Sequence, residues 1–487
     1  MPLSLVNMKN EDTIAAIATS LSAAAISVVR LSGAQSLEIA EAVFTANDRT
    51  RVKDFTPYRL YLGLFQGARV ADRCMCVVFK APNSYTGEDC AEFHCHGGVR
   101  LTECVLNELL QRGARLAGPG EFTKRAFLNG KLDLSAAEGV SDLINAQSEA
   151  EINAGFSLLS GTLKNAFTGF QNRLTAVLAE IDAAADYPEE YGENDGKSLE
   201  ARVNAALYGV LKELKALEKT YANGALIKSG INCAVIGMPN TGKSSLMNAL
   251  LGFDRAIVDA SPGTTRDTVG ESYVFDGVRV NIVDTAGLRR AKNNAENLGI
   301  ERGKAAAAAA DVVVYVQDYD GNEIPAEFAE ILKGKKCIFA VNKIDADKAF
   351  NMEKYAELNT ALQATDQLHT PHATLHTQCA PHSALRKIYI SAKRGYFTDG
   401  LKRLIMDVCI DKNFAAGGAV LNNIRHLDAA RRASDSLTEA LAAPAGTPLE
   451  MRYVDVKAAW DALGLITGAT AGEEIINSLF STFCVGK

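Results

Sequence analysis

The sequence predicts a multidomain fold, α/β plus α, and three observations support this prediction. Between about residues 223 and 410, apolar strands alternate with helical segments, a pattern typical of a doubly wound, largely parallel sheet. Residues 1–130 mix β-rich segments with Gly/Pro turns, which is typical of an α+β domain. Helical periodicity with few turn residues occupies 131–222 and returns at 411–487. This order indicates one discontinuous helical domain with the α/β domain inserted in it.

Length and composition agree with this division. The chain has 487 residues, 47% of them hydrophobic and 22% charged, and a net charge of −7, which excludes a disordered, collagen-like or uniformly basic protein. The apolar stretch Ile14–Val29 contains four Ser and Thr residues and follows two acidic residues, so we expect neither a signal peptide nor a membrane span. Ten cysteines without regular spacing indicate reduced thiols, and we expect a cytoplasmic protein.

The individual elements follow from local patterns. In the N-terminal domain we expect strands at Ala24–Arg30, Tyr58–Phe65 and Cys74–Phe79, and a helix after Gly98. In the helical domain, apolar residues recur at three- and four-residue steps on one helix face: Leu199, Val203, Leu207, Val210, Leu214 and Leu217. In the α/β domain the expected strands are Ile231–Ile236, Val278–Val283, Val312–Val316, Cys337–Val341 and Ile388–Ile390.

A phosphate-binding loop is predicted at residues 237–244, which read Gly-Met-Pro-Asn-Thr-Gly-Lys-Ser and fit the pattern G-x-x-x-x-G-K-[ST]. Its glycines let successive backbone N–H groups face phosphate oxygens at a helix N-terminus. Lys243 would bridge the β and γ phosphates, and Ser244 would bind Mg²⁺. The alternative, a glycine-rich turn without a ligand, fits the strand–loop–helix setting less well.

Three further motifs follow predicted strands. Asp284 begins Asp-Thr-Ala-Gly and can reach Mg²⁺ through water, while the backbone of Gly287 can contact the γ phosphate. Asp345 ends Asn-Lys-Ile-Asp, and its carboxylate can accept two hydrogen bonds from guanine that adenine lacks. A backbone N–H of residues 391–393 can bind guanine O6. The predicted GTP-binding residues are Asn240, Thr241, Gly242, Lys243, Ser244, Ser245, Asp259, Ala260, Ser261, Pro262, Gly263, Thr264, Thr265, Asp284, Thr285, Ala286, Gly287, Asn342, Lys343, Ile344, Asp345, Ser391, Ala392 and Lys393.

The hydrolytic machinery is less clearly marked. Leu288 occupies the position where many GTPases have a water-positioning Gln, and no arginine finger, worth ~10³–10⁵ in rate, is evident. Asn240 could hold a monovalent cation that supplies the missing positive charge, with Arg266 as the alternative. Thr265, in the same predicted switch segment, would be the second Mg²⁺ ligand.

Two carboxylates could orient the attacking water. Glu296 and Glu301 both lie downstream of the Asp-Thr-Ala-Gly motif, and each could equally be a solvated helix charge. Spacing alone does not choose between them.

The chain resembles the MnmE/TrmE family of tRNA-modification GTPases over essentially its whole length. Beyond the nucleotide motifs, the resemblance rests on Pro-Asn-Ser-Tyr-Thr-Gly-Glu-Asp at 82–89, His-Gly-Gly at 96–98, the long string at 119–134, and Phe-Cys-Val-Gly-Lys at 483–487. It implies a homodimer with an N-terminal tetrahydrofolate-binding domain and a Ras-like P-loop GTPase domain inserted in the helical domain.

The resemblance also implies an activity and its partners. Family members act with a flavin-dependent partner, MnmG (GidA), in a heterotetramer or larger assembly. Together they add a carboxymethylaminomethyl-type group at C5 of the wobble uridine of certain tRNAs. The carbon comes from a tetrahydrofolate derivative of the 5,10-methylene or 5-formyl type. Hydrolysis of GTP there requires Mg²⁺ and is activated by K⁺ and by dimerisation of the G domains.

Site roles carried over by resemblance are expectations for this chain. Asn240, Asp259, Ser261 and Thr264 would bind K⁺, and Glu296, rather than Glu301, would orient water beside the catalytic Lys243 and Thr265. The folate-binding residues would be Arg30, Glu92, Lys131 and Lys487. Cys484 would be a reactive thiol or, alternatively, a small buried cysteine.

Two groups of His and Cys residues contain the side-chain types that bind zinc. The segment 355–386 contains His369, His372, His376, Cys379 and His382, and a partner-facing or disordered loop is favoured over a metal site there. Cys74, Cys76, Cys90 and Cys95 lie near His94 and His96, where strand-like alternation favours buried thiols over zinc.

Three functions remain open at this level. The first is a GTPase coupled to tRNA modification, and the second a regulatory GTPase for ribosome assembly. The third, a folate-binding or scaffold protein with a degenerate G domain, is disfavoured because the GTP motifs are intact.

Overall fold

The structure, a computed structural model, describes residues 12–187, 193–252, 271–283, 303–320, 324–364, 386–411, 418–444 and 447–486. These residues divide into two compact units. The first combines the described parts of 1–141, 155–216 and 425–487, and the second those of 142–154 and 217–424. An α+β part, a helical part and an α/β part are all present, so the predicted fold class is confirmed.

A seven-stranded sheet forms the N-terminal part of the first unit. Its strands, in the order β3-β4-β5-β6-β2-β1-β7, are antiparallel except for the parallel pair β1–β7. Alternate residues of the longer strands are buried, because one face carries a hydrophobic core beneath two helices. The strands are β1 (Ile14–Ile17), β2 (Ile26–Ser32), β3 (Phe44–Ala46), β4 (Tyr61–Gln66), β5 (Ala71–Phe79), β6 (Cys90–His96) and β7 (Arg115–Leu116). The helices are α1 (Ser36–Val43), α2 (Val99–Gln111) and α3 (Glu121–Leu128).

The helical part is a bundle with apolar seams. Helices α6 and α15 make extensive contact, and Gln171 donates from Nε2 to the Trp460 carbonyl at 3.1 Å. The six apolar residues predicted to share one face of α7 are all buried, as expected. The helices are α4 (Leu134–Asn145), α5 (Glu149–Leu159), α6 (Thr162–Asp186), α7 (Glu193–Lys219), α8 (Tyr221–Ser229), α14 (Ile424–Ala442), α15 (Leu449–Thr467) and α16 (Glu473–Ser481). The residues of α4, α5, α7 and α14 are divided between the two units, and α8 belongs to the second.

The second unit is built on a six-stranded sheet in the order β13-β12-β11-β8-β10-β9, parallel except for the edge strand β9. Both faces of the central strands are buried, which explains their continuous apolar sequences. The strands are β8 (Ile231–Ile236), β9 (Ser272–Phe275), β10 (Val278–Val283), β11 (Val312–Asp318), β12 (Cys337–Asn342) and β13 (Arg386–Tyr389). The helices are α9 (Lys243–Leu251), α10 (303–309), α11 (Ala326–Leu332), α12 (Met352–Ala364) and α13 (Thr398–Cys409).

Candidate functional site

The loop after β8 is curled by residues with positive φ. Gly237 has φ +148°, Asn240 +64° and Gly242 +91°, and α9 begins directly after them. A Cβ on Gly237 would lie 2.3 Å from the Val316 carbonyl oxygen, so the loop requires glycine there. This curl at a helix N-terminus is the geometry in which backbone N–H groups bind phosphate.

Asn342 ties this loop to the other predicted nucleotide motifs. Its side chain is 2% exposed. Its Nδ2 donates to the Thr241 carbonyl at 2.9 Å, and its Oδ1 accepts from the Ala392 backbone N–H at 2.9 Å. Because a buried amide with both ends bonded has one orientation, Asn342 fixes the phosphate loop relative to the loop after β13.

The predicted guanine-binding residues also meet. Ser391, at 0% exposure, donates from Oγ to Oδ1 of Asp345 at 2.6 Å. Lys343 has φ +64°, and its Nζ donates to Oδ2 of Asp318 at 2.5 Å. Asp318 is not among the residues predicted from the sequence. The signal that could have indicated it is an acidic residue at the end of β11, paired with Asn342 on the neighbouring strand β12.

Lys243 lies folded over its own loop. Its Nζ donates to the Met238 carbonyl at 2.6 Å, and burial lowers the pKa of its ammonium group. Phosphate oxygens close to Nζ would favour the charged form and oppose that shift. Ser244 and Ser245 are exposed in the first turn of α9, where a hydroxyl oxygen is a suitable ligand for Mg²⁺. The residues present therefore fit a magnesium–nucleotide complex.

Part of the predicted site lies outside the described residues. This holds for Asp259, Ala260, Ser261, Pro262, Gly263, Thr264, Thr265 and Arg266, and for Asp284, Thr285, Ala286, Gly287, Leu288, Glu296 and Glu301. It holds also for Lys487 and for the five His and Cys residues of the segment 369–382. Their predicted roles stay predictions.

A second polar cluster lies on the N-terminal sheet. Arg30 and Glu92 are directly opposite each other on β2 and β6, and Arg30 Nε is 2.6 Å from Glu92 Oε1. The guanidinium group of Arg30 also lies 5.7 Å from the Tyr85 ring centroid and 5.6 Å from that of Phe122. Burial raises the pKa of Glu92, but His94 and Arg30 outweigh it, so the net shift is downward.

The cluster also contains His94, which was not predicted to belong to it. Nε2 of His94 is buried 3.5 Å from Glu92 Oε2 and has no hydrogen-bond partner among the described residues. Lys131 donates from Nζ to the Pro82 carbonyl at 3.0 Å, at the start of the loop that carries Tyr85. An unpartnered buried nitrogen beside a carboxylate suits a polar heterocycle such as a pterin.

The predictions of buried cysteines are confirmed at four positions and wrong at one. Cys74, Cys76, Cys90 and Cys95 are buried, as predicted. Cys484 is exposed, so the alternative of a small buried cysteine is wrong there. The neighbouring residue Val485 forms a β-bridge with Pro119, which holds the C-terminal segment against the first unit.

In the second unit, the phosphate loop, the Asn-Lys-Ile-Asp motif and the loop after β13 meet at the carboxyl ends of parallel strands, where such sheets bind ligands. The fold and site thus define a P-loop nucleotide-binding protein of the GTPase class. No helix among the described residues has the length and apolar character needed to cross a membrane.

Comparison with known proteins gives the family. The model described as "GTP-binding protein TrmE N-terminus" matches residues 13–131, and that of the "MnmE helical domain" matches residues 134–484. A protein named tRNA modification GTPase MnmE from Alkaliphilus metalliredigens is 34% identical, covering 98% of this chain and 99% of its own. The protein of that name from Moorella thermoacetica is 36% identical, covering 98% and 100%. This chain belongs to the MnmE/TrmE family of tRNA modification GTPases and is a GTP hydrolase that binds GTP and Mg²⁺, which confirms the predicted family and enzyme class.

Proposed function

We propose that GTP hydrolysis by this chain is activated by potassium and drives modification of tRNA. With a flavin-dependent partner of the MnmG (GidA) type, it adds a carboxymethylaminomethyl-type group at C5 of the wobble uridine of certain tRNAs in the cytoplasm. The observation that carries the proposal is the match to tRNA modification GTPases over 98% of the chain. The chain would act as a homodimer, with domains at 1–130, 131–222, 223–410 and 411–487.

The position of Asn240 supports potassium activation. Its side chain is exposed on the phosphate loop and makes no hydrogen bond with the described residues. An amide oxygen beside the phosphates is a suitable hard ligand for an alkali cation. The remaining ligands would be Asp259, Ser261 and Thr264, and the cation would supply positive charge that an arginine finger supplies elsewhere.

Steady-state hydrolysis at equal ionic strength tests this step. We expect a rate in K⁺ well above that in Na⁺, and loss of the difference in Asn240→Ala with GTP affinity retained. Asn248→Ala, an exposed asparagine on α9, is the matched control and should keep the potassium response. Equal rates in the two salts would remove Asn240 from the proposed role.

Glu296 would orient the attacking water, with Lys243 and Thr265 stabilising the phosphates and their Mg²⁺. We expect Glu296→Ala to bind GTP normally and to lose most of its turnover in a single-turnover assay. Glu301→Ala is the matched control. Full turnover in Glu296→Ala would transfer the role to Glu301 or Arg266.

The Arg30–Glu92 cluster would bind the tetrahydrofolate derivative, which supplies the one-carbon unit. The carboxylate of Glu92 suits the donor edge of a pterin, and Lys131 and Lys487 would bind the glutamate tail. Binding of 5-formyltetrahydrofolate, measured by equilibrium dialysis, should weaken in Glu92→Gln. It should not change in Glu103→Gln, a surface residue of α2.

Mass spectrometry of wobble nucleosides tests the whole proposal. Cells lacking this chain should lose the C5 modification and regain it with the wild-type chain but not with Glu296→Ala. If the nucleosides are unchanged, a regulatory role in ribosome assembly becomes the better explanation of the GTPase. Cys484, exposed at the docked C-terminal segment, would be examined in the same rescue assay as Cys484→Ser.

A further inference from the structure

Three metal-ligating side chains meet within the N-terminal sheet, apart from the sites described above. Asp72 and Cys74 lie on the same face of β5, and the register that pairs Met75 with His94 brings Cys74 opposite Cys95 on β6. One ligand atom from each of Asp72, Cys74 and Cys95 lies within 4.8 Å of the others. Their residues are 8%, 3% and 1% exposed.

This cluster is not ordinary apolar packing. A carboxylate buried at the edge of a hydrophobic core is costly unless it is bonded. Asp72 is held by its neighbour on β6, because Oδ2 accepts from the His96 backbone N–H at 3.0 Å and Oδ1 lies 2.6 Å from His96 Nδ1. Carboxylates that bind a metal are commonly held by hydrogen bonds of this kind.

The two thiols are also close neighbours. The Sγ atoms of Cys74 and Cys95 lie within 4.8 Å of each other. On the other side of Cys95, β2 places Ser27 opposite it, and Ser27 Oγ is 2.7 Å from Thr102 Oγ1. This end of the core is therefore a polar row with two sulfurs at its centre, rather than a set of isolated cysteines.

We propose that Asp72, Cys74 and Cys95 bind a thiophilic divalent cation, of which Zn²⁺ is the chemical type. Two thiolates and a carboxylate occupy three positions of a tetrahedral site, with Zn–S distances of about 2.3 Å and a Zn–O distance of about 2.0–2.2 Å. Water occupies the fourth position. Each thiol gives up its proton to solvent, so binding of one cation releases two protons.

The occupied site would carry a net charge. Two thiolates and one carboxylate exceed the cation by a single negative charge, and Nδ1 of His96 lies 2.6 Å from Asp72 Oδ1 on the exposed side. The bound cation would join β5 to β6 at the end of the sheet. It would therefore stabilise the strand that carries Glu92 on its opposite face.

Cadmium titration of the full-length protein tests the proposal, since Cd²⁺ replaces Zn²⁺ and gives an ultraviolet thiolate-to-metal charge-transfer band. After reduction and removal of metal, the wild-type chain should show this band at one equivalent of Cd²⁺, and Zn²⁺ should raise its Tm. Cys74→Ser and Cys95→Ser should each lose the saturating band and the Tm increase. Cys76→Ser is the matched control, because Cys76 is 0% exposed on the same face of β5 but outside the cluster.

Loss of metal binding can be distinguished from loss of folding. Circular dichroism and GTP binding establish that each variant is folded, and His96→Gln, which leaves all three ligands in place, should weaken the affinity for Cd²⁺ about 10–100-fold. A band that survives in Cys74→Ser or Cys95→Ser overturns the site and points to another segment, such as 369–382. The proposal is also overturned if the wild-type chain does not show the band. It is overturned likewise if the chain is isolated with a Cys74–Cys95 disulfide that reforms in the presence of metal.

Discussion

Replacing Glu138 by glutamine should destabilise the helical part of the first unit by about 3–4 kcal/mol. Glu138 lies on α4 and is 4% exposed, beside Arg425 and His426 at the start of α14. Arg425 donates from Nε to Oε1 and from Nη2 to Oε2, both at 2.9 Å. His426, at 0% exposure, has Nε2 2.6 Å from Oε2. Glutamine keeps the shape of the side chain and removes the charge that both partners face.

The magnitude follows from the pKa of the carboxyl group. Burial raises the pKa of Glu138, but His426 and Arg425 outweigh it and lower it from 4.5 to about 2. At about 1.36 kcal/mol per pH unit, this difference corresponds to about 3 kcal/mol. Because the folded-state pKa is depressed, the stabilisation is present above pH 4.5 and is lost as the pH falls towards 2. About a quarter of it should already be lost at pH 4.

Trp460 allows the free energy of unfolding to be measured by fluorescence, because it is the one tryptophan of the sequence and lies in α15 of the same unit. Urea unfolding followed by tryptophan fluorescence at pH 7 and pH 4 reports the free energy of unfolding of wild type and Glu138→Gln. Glu213→Gln breaks the exposed pair with Arg173, 2.8 Å apart, and should cost less than about 1 kcal/mol. Equal losses in the two variants, or a wild-type advantage that does not shrink at pH 4, would refute the reasoning.

Two further predictions concern the nucleotide site. Asp345→Ala removes two charge-assisted hydrogen bonds to guanine, worth about 1.5–3 kcal/mol each. Calorimetry should therefore show that the affinity for GTP falls by roughly 10²–10⁴-fold while ATP binding is unchanged. An unaltered GTP affinity would exclude Asp345 as the guanine-binding residue. Gly242→Ala forces a Cβ into a position with φ +91° and 2.3 Å from Asn342 Nδ2, so it should abolish GTP binding while the Trp460 transition stays at its wild-type midpoint. Normal nucleotide binding by this variant would show that the curl of the loop is not required.

Strands β8 and β10 have their predicted bounds for different reasons. In β8, five of the six residues are buried, so the strand reads as an almost continuous apolar segment. In β10, the buried residues Val278, Val280 and Ile282 alternate with half-buried ones, which is the period-two pattern of a strand. Strand β2 begins at Ile26 rather than Ala24, and the sequence predicts β6 only as strand-like alternation around His94 and His96, without bounds. Its residues alternate Glu92, His94 and His96 with core residues, so its apolar content is that of a half-buried strand and does not mark where the strand begins and ends.

The amino-acid sequence by itself determined the nucleotide chemistry, because the phosphate loop and the motifs at strand ends are short segments whose residue types and spacing suffice. Tertiary structure alone decided which distant residues meet. Asp318 reaches Lys343, His94 lies beside Glu92, and Asp72 joins two thiols only because strand order and register place them there. The physical reason is that a sheet brings together side chains far apart in sequence, and local propensity carries no information about that pairing.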